Sequence, residues 1–248
     1  MKFGLKLWSI NTNLIDPAVR LIDEKIFDYI ELMVIPNSEI KPFLMDIPYI
    51  IHIPHEKFGV NIGDPAAKKF TLQMINESIV WADRLNAKHL ILHAGHGSME
   101  HSTYLLHELS DNQLLIENMP KVGLDGEAMI GYSSEQIKEL IGDSDIELCL
   151  DFGHAVKAAV SLGVDYKEYV QEFMELEPRV FHVSDGTLGE EKDEHFNIGE
   201  GEYDLGFLMG CVEKNNSALV TLETPRNKKS LNEDVENLYI LKNTIKLT

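Results

Sequence analysis

The chain has 248 residues, 44% hydrophobic and 25% charged, which is the composition of a folded globular protein able to fill a large core. With 41 acidic against 22 basic residues the formal charge is −19, which repels polyanions and works against a grip on duplex DNA built by neutralising many phosphates. No apolar run reaches the ~18 residues of a membrane span, the start MKFGLKLWSI lacks a signal-peptide layout, and Cys149 and Cys211 make no disulfide scaffold, so a cytoplasmic protein without membrane contact is expected.

FGLKLW (3–8) reads as a first strand, followed by a helix over about 16–25 with Pro17 in its first turn. YIELMVI (29–35) is a second strand. YIIHIPH (49–55) is a third, after which Asp64 and Pro65 open a long helix to about Asn86 as N-cap and first-turn proline. HLILHAG (89–95) precedes a helix ending near Asp111, and QLLIENMP (113–120) precedes a loop and a helix from Ser133 or Ser134. IELCLDFGHA (146–155) leads into one or two helices to about Glu175. RVFHVSD (179–185) leads into a polar loop and a helix from about Asp204, and LVTLETP (219–225) into a last helix from about Leu231. Most of these runs are continuously apolar, as strands buried on both faces are. Eight of them separated by helices predict an α/β fold, a single (β/α)8 (TIM) barrel domain over 1–248, with a doubly wound open sheet as the alternative.

In such a barrel the reactive face lies at the C-terminal ends of the strands. There this chain places His55, His93, Glu117, Asp151, His154, His182 and Glu223, and the segment EKDEHFNIGEG adds Asp193 and His195. Unpaired buried charge is not tolerated, so a cluster of divalent cations that satisfies them together is the economical reading. Imidazole and carboxylate without Cys favour zinc, manganese or iron. Asp151 and His154 are three apart across the corner DFGH and can reach one metal region. Asp193 and His195 share a face if the backbone is extended, although EEKDEH also reads as a solvated acidic loop. His52 competes with His55 as the strand-end ligand. His89, His96, His101 and His107 read as surface or supporting residues, Gly199–Gly201 as a turn rather than a phosphate loop, and Cys149 as a buried structural thiol. Four of the nine residues are acids, so three divalent ions would turn the patch from about −4 to about +2 and give an acidic protein one positive pocket.

At these residues the chain resembles the xylose-isomerase-like barrel superfamily and, within it, the endonuclease IV (AP endonuclease family 2) branch. Glu117, Asp151, His182 and Glu223 are similar to the single-metal site of sugar isomerases and epimerases, and His154 suits both branches. HEKFGVNIG and LILHAG are similar to the endonuclease segments carrying its first two zinc-binding histidines, which places those roles on His55 and His93. KDEHFNIGEG is similar to its D-x-H segment, giving Asp193 and His195. The resemblance therefore implies a trinuclear zinc site on all nine residues and metal-assisted phosphoester hydrolysis. It further implies that Glu117 bridges two metals and that Glu223 binds a metal and helps to orient the attacking hydroxide. Phe58 stands where the family commonly has Tyr in a DNA-contacting loop, the early loops are brief, and no basic loop set for gripping duplex DNA is found. A phosphoester substrate is thus expected, small or at an abasic site in DNA, without singling out DNA repair. The alternative is a sugar isomerase or epimerase with a single Mn2+ or Mg2+ ion, in which Glu117 and Glu223 flank the substrate carbon and Asp151 and His182 hold the metal. A metal-binding or sugar-sensing module without turnover is the third reading.

Overall fold

The computed structural model describes residues 1–109, 113–213, 215, 217–226 and 229–246. Eight strands form a closed, wholly parallel barrel in chain order. They are Lys2–Trp8 (β1), Tyr29–Met33 (β2), Tyr49–His52 (β3), Leu90–His93 (β4), Leu114–Glu117 (β5), Glu147–Asp151 (β6), Val180–Val183 (β7) and Leu219–Leu222 (β8). The α-helices are Ile15–Asp23 (α1), Lys68–Leu85 (α2), Met99–Glu108 (α3), Ser134–Ile141 (α4), Phe152–Leu162 (α5), Tyr166–Met174 (α6), Leu205–Glu213 (α7) and Asn232–Lys246 (α8). Between β2 and β3 a 3-10 turn, Lys41–Phe43, replaces a helix, whereas α5 and α6 both lie between β6 and β7. The TIM-barrel expectation is met, and no helix among the described residues is long and apolar enough to cross a membrane.

Two boundaries differ from the sequence reading for local reasons. The helix expected from Pro65 begins at Lys68, because Asp64 spends its carboxylate on Ala66 N (2.9 Å) and caps a separate turn ahead of it. Asn86 ends that helix in the left-handed region, φ 52°. Strand β3 stops at His52, and His55 follows in extended backbone before the 3-10 turn Glu56–Phe58. The helix end expected near Asp111 lies outside the described residues.

The barrel interior has two layers, and they position the site. The lower one is apolar: Tyr29, Ile50, Ile91, Leu115, Cys149 and Val180 pack together with Leu219 against them, and the Tyr29 ring fills the space a side chain at Gly4 would need. Side chains alternate faces along a strand. One step of two residues toward each C-terminus therefore replaces this layer by Lys6, Glu31, His52, His93, Glu117, Asp151, His182 and Thr221, one residue from every strand. The strand register confirms the ring, pairing Lys6 with Glu31, His93 with Glu117, Asp151 with His182 and His182 with Thr221.

Candidate metal centre at the barrel mouth

Glu117 is the hub of this ring. Its Oε2 lies 3.2 Å from His52 Nε2 and 3.4 Å from His93 Nε2, and its Oε1 lies 3.4 Å from both His154 Nδ1 and His182 Nδ1. His182 Nδ1 is also 3.3 Å from Glu223 Oε1 and 3.8 Å from Asp151 Oδ2. The loop residues join from above. His195 Nδ1 is 2.7 Å from Asp193 Oδ2, and its Nε2 is 3.3 Å from Glu223 Oε2; Asp193 in turn lies 3.9 Å from His154 Nε2. The His55 ring stacks on His93 with centroids 5.2 Å apart. The structure thus brings the nine residues singled out in the sequence into one connected cluster.

Local chain geometry fixes several of them. Asp151 ends β6 and caps α5: its Oδ1 accepts from His154 N (2.8 Å), which turns Oδ2 to the cluster. Asn118 splints the same corner. Its Oδ1 accepts from Asp151 N (2.7 Å), its Nδ2 donates to Asp151 O (2.9 Å), and its carbonyl accepts from His154 Nδ1 (2.8 Å). A Cβ at Gly153 would lie 3.1 Å from both Asp151 Oδ1 and Ser184 Oγ, so the DFGH corner has little room for more than glycine there. The loop after β7 is held by Glu194, whose Oε2 accepts from Thr187 N and Oγ1 (both 2.9 Å) and from the fully buried Lys157 Nζ (2.5 Å). His195, next along, sits in the left-handed region at φ 50°.

Crowded charge shifts the acids and bases. Burial opposes a charge on His93, yet Glu117 and Glu56 outweigh it and hold the imidazole at about 10. His182 and His195 are likewise raised against burial, by Glu223, Glu31 and Glu117 around the first and by Asp193 and Glu223 around the second. Burial and the Lys6 ammonium depress His52 to about 4. Glu117 and Glu223 stay well below the usual carboxylate range despite burial, the first through His93 and His182, the second through His182 and Lys6. Asp151 moves the other way, pushed up by burial and by its acidic neighbours.

The residues fit divalent cations. Glu56 Oε1, Glu117 Oε1, His182 Nδ1 and His195 Nε2 are buried and make no hydrogen bond. Three groups that share no residue, His55 with Glu56 and His93, Asp151 with His154 and His195, and Glu31 with His182 and Glu223, each bring ligand atoms within 4.8 Å of one another. His154 donates Nδ1–H to a carbonyl and keeps the Nε2 lone pair free, the arrangement usual for a metal-ligating imidazole. His52 does the same through Ile53 O (2.8 Å), so its neutral form turns an Nε2 lone pair onto the lone pairs of Glu117 Oε2. A cation relieves that mismatch. Cys149 Sγ lies 3.6 Å from His182 Nε2, but burial pushes its thiol up and keeps it protonated.

Lys6, Glu31, His52, Glu56 and Asn118 belong to this site and were not among the nine. His52 and His55 both reach the cluster, His52 beneath it through Glu117 and His55 at the rim through His93. Lys6 Nζ bonds Glu31 (2.5 Å) and Glu223, and Glu31 accepts from Thr221 Oγ1 (2.6 Å) while lying 3.0 Å from His182 Nε2. Of the remaining histidines, His96 lines the cavity wall and His107 bonds Leu140 O (3.1 Å) away from the cluster. The glycine turn at Gly199–Gly201 serves Asp185, whose carboxylate accepts from Gly199 N (2.9 Å) and Tyr203 N (3.2 Å), so those donors are already spent.

A family model described as a xylose isomerase-like TIM barrel matches residues 39–241. The chain belongs to that family. Among curated relatives, a probable endonuclease 4 of Mycoplasmopsis synoviae (strain 53) is 29% identical over 221 residues, 80% of this chain and 78% of that protein. A D-tagatose 3-epimerase-like protein superposes with a TM-score of 0.79 at 20% identity, covering 100% of this chain and 98% of that one. Endonuclease IV from Thermus thermophilus superposes with a TM-score of 0.73 at 20% identity over 100% of both chains. The two solved structures show the shared fold.

Proposed function

We propose that the barrel mouth is a multinuclear zinc centre that hydrolyses phosphoesters. The observation that carries this reading is one cluster that joins the nine expected residues and, with Glu31 and Glu56 added, offers three ligand groups that share no residue. Charge supports it. Glu31, Glu56, Glu117, Asp151, Asp193 and Glu223 gather beside the ammonium of Lys6 and the raised imidazoles of His93, His182 and His195, and bound divalent ions would take over the compensation those protons supply. The likeness to a probable endonuclease 4 points the same way.

Bound zinc would supply Lewis acidity toward phosphoryl oxygens and would ease the ionisation of water beside phosphorus. The chain's own residues do the rest. Glu117 ties the His93, His154 and His182 sides of the cluster together. Glu223 is held at Oε1 by Lys6 and presents Oε2 near His195, where it would orient the attacking water. Elemental analysis is expected to find about three zinc ions per chain, and Glu223→Gln to keep them while losing most phosphodiester turnover. Turnover at the wild-type rate in that variant would remove this role from Glu223.

A second reading, a sugar isomerase or epimerase with a single Mn2+ or Mg2+ ion, is favoured by one detail: Glu117 and Glu223 both lie beside His182, at 3.4 and 3.3 Å, so an ion held by His182 and Asp151 has an acid on either side. Replacing His93 or His195 separates the two. Metal lost with either histidine supports the multinuclear centre, whereas an ion retained in both variants supports the epimerase.

A further inference from the structure

The mouth holds an aromatic arc that the metal cluster does not need. Trp8, at the C-terminal end of β1, lines the same cavity of about 1040 Å³ as the cluster and is 39% exposed, whereas the chain's other tryptophan, Trp81, is buried beside Phe43. A single exposed apolar residue on an outer surface is ordinary. Trp8 differs because it is braced inside a cavity: its backbone N–H donates to Asn11 Oδ1 (2.9 Å), and its ring meets Phe58 edge-on at 6.2 Å. Phe58 meets His55 at 5.2 Å, and His55 stacks on His93 at 5.2 Å, so ring contacts run unbroken from rim to cluster. Leu124, 43% exposed, lines the cavity too, on a loop pinned where Lys192 Nζ donates to Leu124 O (2.7 Å).

The charge of the lining restricts what can enter. Three lysine and arginine side chains line the cavity, and two of them are engaged, Lys6 by Glu31 and Glu223 and Arg226 by Asp234. Acids beyond the nine, Glu56, Asp125, Glu127 and Glu194, line it as well. Such a rim repels a duplex carrying many phosphates but admits a ligand with one.

We propose that the substrate is a mononucleotide-sized phosphodiester whose planar ring stacks on Trp8 while its one phosphate reaches the ligand cluster. This rests on the phosphoesterase reading above. In the reaction water adds to phosphorus, the P–O bond to the leaving alcohol or phenol breaks, and a phosphate monoester and a proton result.

The test compares thymidine 5′-(p-nitrophenyl phosphate) with methyl p-nitrophenyl phosphate, two diesters that release the same p-nitrophenolate, on the zinc-loaded protein. Stacking on an aromatic side chain predicts a kcat/KM roughly ten-fold or more higher for the thymidine ester, with the ratio falling toward one in Trp8→Ala and recovering in Trp8→Phe. A second readout needs no turnover: thymidine 5′-monophosphate quenches the fluorescence of Trp8, and inorganic phosphate does not. Equal kcat/KM for the two esters, an advantage that survives in Trp8→Ala, or faster cleavage of an abasic-site duplex than of either ester overturns the ring seat and leaves the phosphoesterase standing. Quenching without hydrolysis of any ester sinks the phosphoesterase reading and keeps the ring seat.

Discussion

Glu117, Asp151 and His182 stand on strands and are almost fully buried, whereas Asp193 and His195 hang on the loop between β7 and α7, with the His195 side chain 36% exposed. Both sets converge on one cluster, but they are placed by different means. A strand residue is located by register, because the ladder on each side fixes which face it meets. The loop residues have no ladder, apart from the single bridge between Asp185 and Phe196. Their position depends on side chains, chiefly Lys157 holding Glu194 between them, with the Tyr203 ring 5.8 Å from the ammonium. This ion pair ties the loop to α5 at one point. The contrast teaches that the strand ring sets where the cluster lies and the loop sets whether it is complete.

The hardest blow to that division is Glu117→Ala. It removes the carboxylate shared by four imidazoles, and we expect zinc content to collapse and phosphodiesterase activity to fall more than about 10³-fold, measured by elemental analysis and initial rates. Removing metal from the intact chain comes next. At zinc about a thousand-fold above its Kd, binding adds ~4 kcal/mol, so chelation should lower Tm by roughly 10 °C. Hydrogen exchange on the stripped protein should show the β7–α7 loop loosening before the strand ring, and the reverse order would break the comparison. Lys157→Met sharpens it: the strands stay intact, one ion should bind ~10–100-fold more weakly, and Lys157→Arg should restore part of the loss in a zinc titration. The smallest effect is on the outside. Ser133 caps α4 by accepting from Gln136 N (3.3 Å), so Ser133→Ala should cost about 1 kcal/mol, visible in a denaturant melt, with metal content unchanged.

The alternation of apolar runs with helices, and the acids and imidazoles closing those runs, were legible because a barrel strand is buried on both faces and turns polar only where it meets the mouth. The same double burial hides the ring beneath. Inside FGLKLW and YIELMVI, Lys6 and Glu31 are single charges in apolar text, and their inward direction shows only once the strands pair. A signal was there: opposite charges, one in each of two neighbouring strands, with no other partner in either run. Glu56 and Asn118 follow directly after His55 and Glu117, and their roles come from contacts 37 and 33 residues away, with His93 and Asp151, that spacing does not reveal. The Lys157–Glu194 bond also spans 37 residues, so the rigidity of the acidic loop was out of reach while its two candidate residues were not.

Lys6 lies on the first strand and Glu223 directly after the eighth, and Arg226, just beyond, donates to the backbone oxygen of Lys6. The seam where the cylinder shuts is therefore also where the acid proposed to steer water meets its counter-ion. A fragment ending before β8 would carry a cation inside an open trough with half its countercharge missing and no acid to direct the chemistry. Shape and competence thus arrive in one step, and an incomplete copy of this protein should be inert toward any ester it meets.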